Sequence, residues 1–222
     1  MDNRLIVALD VSTFEKAEKL VDELAGHVNI FKVGPELFTG CGPKIIEHIN
    51  EKKKKVFLDF KFLDISNTVK KATLQAAQHK VFMLTLHTTG GLHMLREAVG
   101  AVKDIKNRPL LVGVTVLTSD ETENTTEEVL KLAKVAHKAG LDGIVCSAKE
   151  TKHVKEVFGD ELLIVNPGIR PEWAAQNDQK RIAIPEEAIA NGADFIVVGR
   201  PIIEAKNPAK AAEKILKELH NV

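Results

Sequence analysis

The chain is predicted to fold as a single α/β domain over residues 1–222, a (β/α)8 barrel, on three observations. Short runs rich in Val, Ile, Leu and Phe alternate with amphipathic segments, the pattern of parallel strands covered on both faces. The alternation repeats eight times without a linker, a low-complexity tract or a break in composition. Finally, 222 residues lie near the lower end of the roughly 200 to 400 that such barrels use. A doubly wound open sheet is the alternative architecture.

The strands expected in order are Arg4–Leu9, Asn29–Val33, Lys55–Lys61, Val81–His87, Leu110–Val116, Gly143–Ser147, Leu162–Asn166 and Phe195–Val198. Between the first two, Phe14–Leu24 places Ala17, Leu20, Val21 and Leu24 at helical spacing, with Ser12 or Thr13 to cap its start and Gly26 beyond its end. The remaining helices are expected at Pro43–Glu51, Thr68–His79, Leu92–Lys103, Thr126–Ala139, Glu150–Phe158, Pro185–Asn191 and Pro208–Leu219. Pro43, Pro185 and Pro208 suit first-turn positions, where a missing N–H costs nothing.

Composition narrows the function. Lys plus Arg and Asp plus Glu both number 31, so no basic excess favours nucleic acid or an anionic membrane as partner. The apolar run Leu5 to Leu9 stops at Asp10, too short for a signal peptide, and no stretch approaches the roughly 20 apolar residues of a membrane span. Cys41 and Cys146 lack metal-ligand spacing and suit a reducing compartment, which makes the cytoplasm the expected location. The eight histidines show no metal-binding spacing, and no nucleophile elbow, dinucleotide fingerprint or Walker loop is present.

Barrels of this class carry their chemistry at the C-terminal strand ends. Those ends read Asp10, Lys32, Asp59 with Lys61, His87, Thr115 with Thr118, Ser147, Pro167 with Arg170, and Gly199–Arg200. Asp59 and Lys61 stand two apart on one strand and so project together, with Asp64 three residues on. A structural ion pair closing the strand end is the plain alternative for that pair, as Ser147 capping a helix is for the sixth tip. Gly199–Arg200 after the last strand suits phosphate, because glycine lets backbone N–H groups approach and arginine offers a bidentate fork. The long connection from Pro167 to Ile184, with Arg170, Trp173, Asn177, Asp178 and Gln179, reads as a lid over a ligand.

These residues carry a resemblance. Ile-Val-Ala-Leu-Asp (6–10), Phe-Lys-Val-Gly-Pro-Glu-Leu-Phe (31–38), Phe-Leu-Asp-Phe-Lys-Phe-Leu-Asp-Ile (57–65) and Val-Thr-Val-Leu-Thr-Ser (114–119) are followed in order by four further stretches. Those are Gly-Leu-Asp-Gly-Ile-Val-Cys-Ser (140–147), Pro-Gly-Ile-Arg-Pro (167–171), Asn-Asp-Gln-Lys-Arg (177–181) and Val-Val-Gly-Arg-Pro-Ile (197–202). Together they resemble the orotidine 5′-phosphate decarboxylase family almost from end to end.

The resemblance implies a homodimer that converts orotidine 5′-monophosphate to UMP and carbon dioxide with no metal and no organic cofactor. Lys32, Asp59, Lys61 and Asp64 would form an alternating charge network, with Lys61 donating the proton that replaces carbon dioxide at C6. Asp10, Lys32 and, from the neighbouring subunit, Asp64 and Thr68 would hold the ribose. Thr118 would meet the pyrimidine edge, Gln179 would bridge base and phosphate, and Arg170, Gly199 and Arg200 would grip the phosphate. Ile65 and Pro167 complete the implied substrate-binding set. Leu63 and the pair Thr88–Thr89 depart from the family pattern without touching these positions.

Two rivals remain. Metal-dependent relatives acting on 3-keto-gulonate phosphate or hexulose phosphate share the third-strand motif, but end their second strand in a carboxylate where this chain has Lys32. A non-catalytic sugar-phosphate or nucleotide-binding barrel would bind UMP without turnover.

Overall fold

The computed structural model describes residues 4–117, 125–174 and 183–220. Eight parallel strands close on themselves in sequence order, each pairing with its chain neighbours and the first with the last. They are β1 (Leu5–Ala8), β2 (Ile30–Val33), β3 (Lys55–Phe62), β4 (Met83–His87), β5 (Leu110–Val114), β6 (Gly143–Val145), β7 (Leu163–Asn166) and β8 (Phe195–Val198). The barrel expectation therefore holds, and the open sheet is excluded by the β1–β8 ladder.

Strand alternation splits the apolar residues into two sets. Ile6, Ala8, Ile30, Phe57, Met83, Val112, Val165 and Val197 fill the barrel interior. Leu5, Val7, Leu9, Phe31, Val33, Leu58, Leu84, Leu86 and their equivalents face outward, packed under the helices. Filling both sides explains why the strands read as unbroken hydrophobic runs.

The helices are α1 (Phe14–Leu24), α2 (Pro35–Cys41), α3 (Lys44–Glu51), α4 (Ser66–Gln78), α5 (Gly91–Val102), α6 (Thr125–Ala139), α7 (Ala148–Phe158), α8 (Pro185–Ala190), α9 (Arg200–Ile203) and α10 (Pro208–His220). Thr13 caps α1 by accepting from the Lys16 N–H, and Ser147 caps α7 by accepting from the Lys149 N–H. Pro43 sits at the cap of α3 rather than inside its first turn. The short helices α2 and α9 were not expected. Both carry proline at their start, Pro35 and Pro201, and each begins immediately beyond a strand tip.

The N-terminal face is tied by ion pairs of structural character. Asp142, just before β6, receives both guanidinium nitrogens of Arg108 at 2.7 Å and the Leu111 N–H at 2.7 Å. The pairing holds the Arg108 guanidinium above its already high ordinary pKa, chiefly through the hydrogen bond to Asp142. Asp194 before β8 repeats the device, accepting from the Ile164 N–H at 2.8 Å and facing Lys155 at 3.2 Å.

Candidate active site

The inner faces of the strands lead directly to the site. Ile30 points into the barrel, and Lys32 lies two residues further on the same face; Phe57 and Asp59 repeat the relation on β3. The polar groups thus sit as a cap on an apolar plug. Lys32 and Asp59 side chains are only 13% and 15% exposed, which strengthens their interaction relative to a surface pair.

The charges alternate in space. Lys32 Nζ donates to Asp10 Oδ1 at 3.0 Å and lies 3.7 Å from Asp59 Oδ2. Lys61 Nζ donates to the other oxygen, Asp59 Oδ1, at 2.9 Å. Asp59 therefore has a lysine on each oxygen, and the row Asp10–Lys32–Asp59–Lys61 is continuous.

Simple strand alternation does not explain how Lys61 reaches Asp59. The β3–β4 register runs Leu58↔Leu84 and next Phe62↔Leu86, so residues 59–61 bulge opposite Thr85 alone. Lys61 takes up the bulge with a left-handed backbone, φ 50°, a conformation that strains any residue with a Cβ. Its N–H, displaced from the ladder, donates to Thr85 Oγ1 at 2.8 Å. Thr85 Oγ1 in turn donates to Asp59 Oδ1 at 3.0 Å. Thr85 was missed in the sequence because a threonine inside an apolar run reads as an ordinary strand former.

Two adjoining depressions share Lys32, Asp59, Pro167 and Val197. One, about 130 Å³, is walled by Phe57, Val114, Val116, Val145 and Val165 and reaches Lys61. The other, about 200 Å³, is bounded by Asp10, Gly168, Arg170, Gly199 and Arg200. Together they come to the low end of the roughly 300 to 1,000 Å³ typical of ligand sites. A larger cleft of about 540 Å³ lies elsewhere, at Trp173, Glu186 and Lys214, and none of the strand-tip charges line it.

Apolar walls on one side and a cationic rim on the other suit a ligand with a flat ring and a remote anion. A Cβ at Gly199 would stand 3.3 Å from Asp10 Oδ2 and 3.5 Å from the Ala8 Cβ, so the bare glycine keeps that rim open. Arg170 is buried, and its N–H donates to Ala183 O at 2.9 Å beside an Ile169↔Ala183 bridge.

Other expected tips are not all brought together. Asp64 is exposed, its Oδ1 accepting from the Ile65 N–H at 2.6 Å, and it makes no ion pair with Lys61 among the described residues. Thr68 is exposed on α4, and Ile65 is 73% exposed. Thr115 is spent on the backbone, donating to Val145 O at 2.7 Å, and Ser147 on its cap. His87 shares a 2.7 Å hydrogen bond with Thr89, and burial, then the Lys61 ammonium, push its imidazole below the ordinary histidine value. Thr118 and Gln179, with most of the expected lid, lie outside the described residues.

Comparison with known proteins places the chain in a family. The family described as "Orotidine 5'-phosphate decarboxylase / HUMPS family" matches residues 3–215. The orotidine 5′-phosphate decarboxylase of Saccharophagus degradans is 45% identical, over 98% of this chain and 95% of its own. That of Syntrophomonas wolfei is also 45% identical, over 97% of each chain. The crystal structure of the Lactobacillus acidophilus orotidine 5′-phosphate decarboxylase superposes with a TM-score of 0.86 at 36% identity, covering 98% of this chain and 99% of that one. With relatives aligned over almost every residue and the same barrel beneath them, this chain belongs to the orotidine 5′-phosphate decarboxylase / HUMPS family of enzymes.

Proposed function

We propose that the protein decarboxylates orotidine 5′-monophosphate to UMP without a metal or organic cofactor. The observation that carries this reading is the row Asp10–Lys32–Asp59–Lys61 at the mouth of the barrel. In the reaction the bond from C6 to the carboxylate carbon breaks and carbon dioxide departs. The electron pair stays on C6, a ring carbon without a conventional sink. Lys61 stabilises that charge through space and then transfers an Nζ proton to C6, later regaining one from water. Preplaced charge of this kind needs no rearrangement at the moment of reaction.

Asp59 aims the Lys61 ammonium, and Lys32 holds Asp59 from the other side. Asp10 and Lys32 take the ribose hydroxyls, Ile65 and Pro167 belong to the substrate-binding set, and Arg170, Gly199 and Arg200 take the phosphate. The phosphate is remote from C6, so its binding energy serves orientation and closure. Thr118 and Gln179 would complete the base and phosphate contacts.

We further read the active protein as a cytoplasmic homodimer in which Asp64 and Thr68 serve the neighbouring site. Leu63 and Ile65, 55% and 73% exposed, flank Asp64 as an apolar surface that a second copy would cover.

The family also contains metal-dependent sugar-phosphate enzymes, and Lys32 is the discriminator. An ammonium 3.7 Å from Asp59 occupies the place where a cation would need an anionic ligand. Loss of absorbance as orotidine 5′-monophosphate is consumed, at full rate in EDTA, supports the reading. Turnover only with added magnesium, or UMP binding without turnover, would overturn it.

A further inference from the structure

The bulge in β3 poses a problem that the catalytic charges do not solve by themselves. Lys61 must leave the ladder and adopt a left-handed backbone to bring Nζ onto Asp59. A displaced N–H inside a protein needs a partner, and a free carboxylate oxygen can rotate away from the lysine that it orients.

One hydroxyl meets both requirements. Thr85 is fully buried and is the β4 residue that faces the bulge. The ionised Asp59 carboxylate only accepts hydrogen bonds, so the Thr85 O–H must donate to it; the oxygen lone pairs are then left for the Lys61 N–H. The polarity of the relay is therefore fixed as Lys61 N–H to Thr85 Oγ1 to Asp59 Oδ1. That same Asp59 oxygen receives Lys61 Nζ, so the side chain and backbone of Lys61 close a ring through Asp59 and Thr85. Thr85 itself is fully buried, so its hydroxyl is held for these two partners.

We propose that Thr85 is a positioning residue for the decarboxylation: its hydroxyl holds the left-handed bulge of Lys61 and the plane of the Asp59 carboxylate at once. Thr85 lines neither of the two depressions described above and acts through those two residues. The inference rests on the decarboxylase reading for its kinetic consequence and on the geometry alone for its structural one.

The test compares Thr85→Val, which keeps the shape and removes the hydroxyl, with Thr85→Ser, which keeps the hydroxyl and removes a methyl. Each is assayed per folded protein, with thermal melts as control. Misplacing a reacting group by about 1 Å costs on the order of 100-fold, so Thr85→Val should lower kcat by roughly 10- to 100-fold with KM near wild type. Thr85→Ser should retain most of kcat although it leaves the larger packing defect. A packing role alone predicts the reverse order, and that order would overturn the proposal. Should the valine variant fail to fold, Thr85→Ala against Thr85→Ser isolates the same oxygen.

Crystal structures of the variants supply a readout independent of turnover. Lys61 should leave its left-handed φ, or Nζ should leave Asp59, in Thr85→Val or Thr85→Ala but not in Thr85→Ser. An unchanged Lys61 in the hydroxyl-free variants would refute the positioning role. A wild-type protein without turnover would sink the decarboxylase reading instead, leaving that crystallographic comparison to decide on Thr85.

Discussion

Lys61→Met removes one charge and one proton donor while keeping an unbranched side chain, one atom shorter, and its Cβ. The backbone strain at φ 50° is therefore the same in both proteins. At a reacting distance of about 3.3 Å and an effective dielectric of 20, a unit positive charge stabilises a unit negative one by about 5 kcal/mol. That corresponds to roughly 10³ to 10⁴ in rate. Lys61 is 38% exposed, so solvent screening argues for the lower figure of about 10³. Losing general acid catalysis removes a further 10² or so at least. The expected kcat is therefore lower by about 10⁵-fold or more.

Asp59 would keep Lys32 at 3.7 Å and the Thr85 hydroxyl at 3.0 Å, so it is not left without partners. The stability cost should be on the order of 1–2 kcal/mol, below the 3–5 of a fully buried broken pair. Circular dichroism melts establish that the variant is folded, and the absorbance assay measures turnover at saturating substrate. A folded Lys61→Met enzyme within about tenfold of the wild-type kcat would refute the assignment of Lys61 as charge stabiliser and proton donor.

Three further outcomes are expected. Mixing inactive Lys61→Met and Asp64→Asn chains should recover activity in hybrid dimers, at about a quarter of wild-type sites, if each site takes Asp64 from its partner; no recovery after confirmed subunit exchange would reject the shared site. Asp142→Ala should cost roughly 1–3 kcal/mol, because it removes both carboxylate contacts of Arg108 and leaves the Leu111 N–H without its acceptor, yet leave kcat unchanged at the far end of the barrel; equal loss of kcat and stability would contradict that separation. His87 titrates below its ordinary 6.5 in the folded protein, so the unfolded chain binds the extra proton first and stability should fall as pH drops from about 6.5 toward the folded value. His87→Gln should flatten this acid-side loss in urea melts, and an unchanged pH slope would remove His87 as its source.

The barrel was legible because both faces of every strand are buried. Runs such as Leu5–Ala8 and Leu163–Asn166 could be read from hydrophobicity alone, and the tips of β1, β2, β3 and β8 followed from their last inward residue. The short helices α2 and α9 are too brief for a periodic signal, although the Gly34–Pro35–Glu36 start of α2 held a usable one in proline and first-turn acid. The bulge was illegible for a different reason. The pair Asp59 and Lys61 was expected to meet by ordinary alternation, and it does meet, but through a register shift that no local pattern announces. Thr85 escaped with it, since its role depends on a residue 24 positions away. The family resemblance assigns Asp64 to a neighbouring site, and its exposed position without an ion pair to Lys61 leaves that role to the hybrid experiment.

The bridge between Ile169 and Ala183, with the Arg170 N–H on Ala183 O, fastens together the two feet of the connection between β7 and α8. Arg170 is thereby kept in its place beside the barrel mouth. The position of Arg170 is thus set by backbone pairing, so a substitution there removes a cation without releasing the strand of chain that carries it.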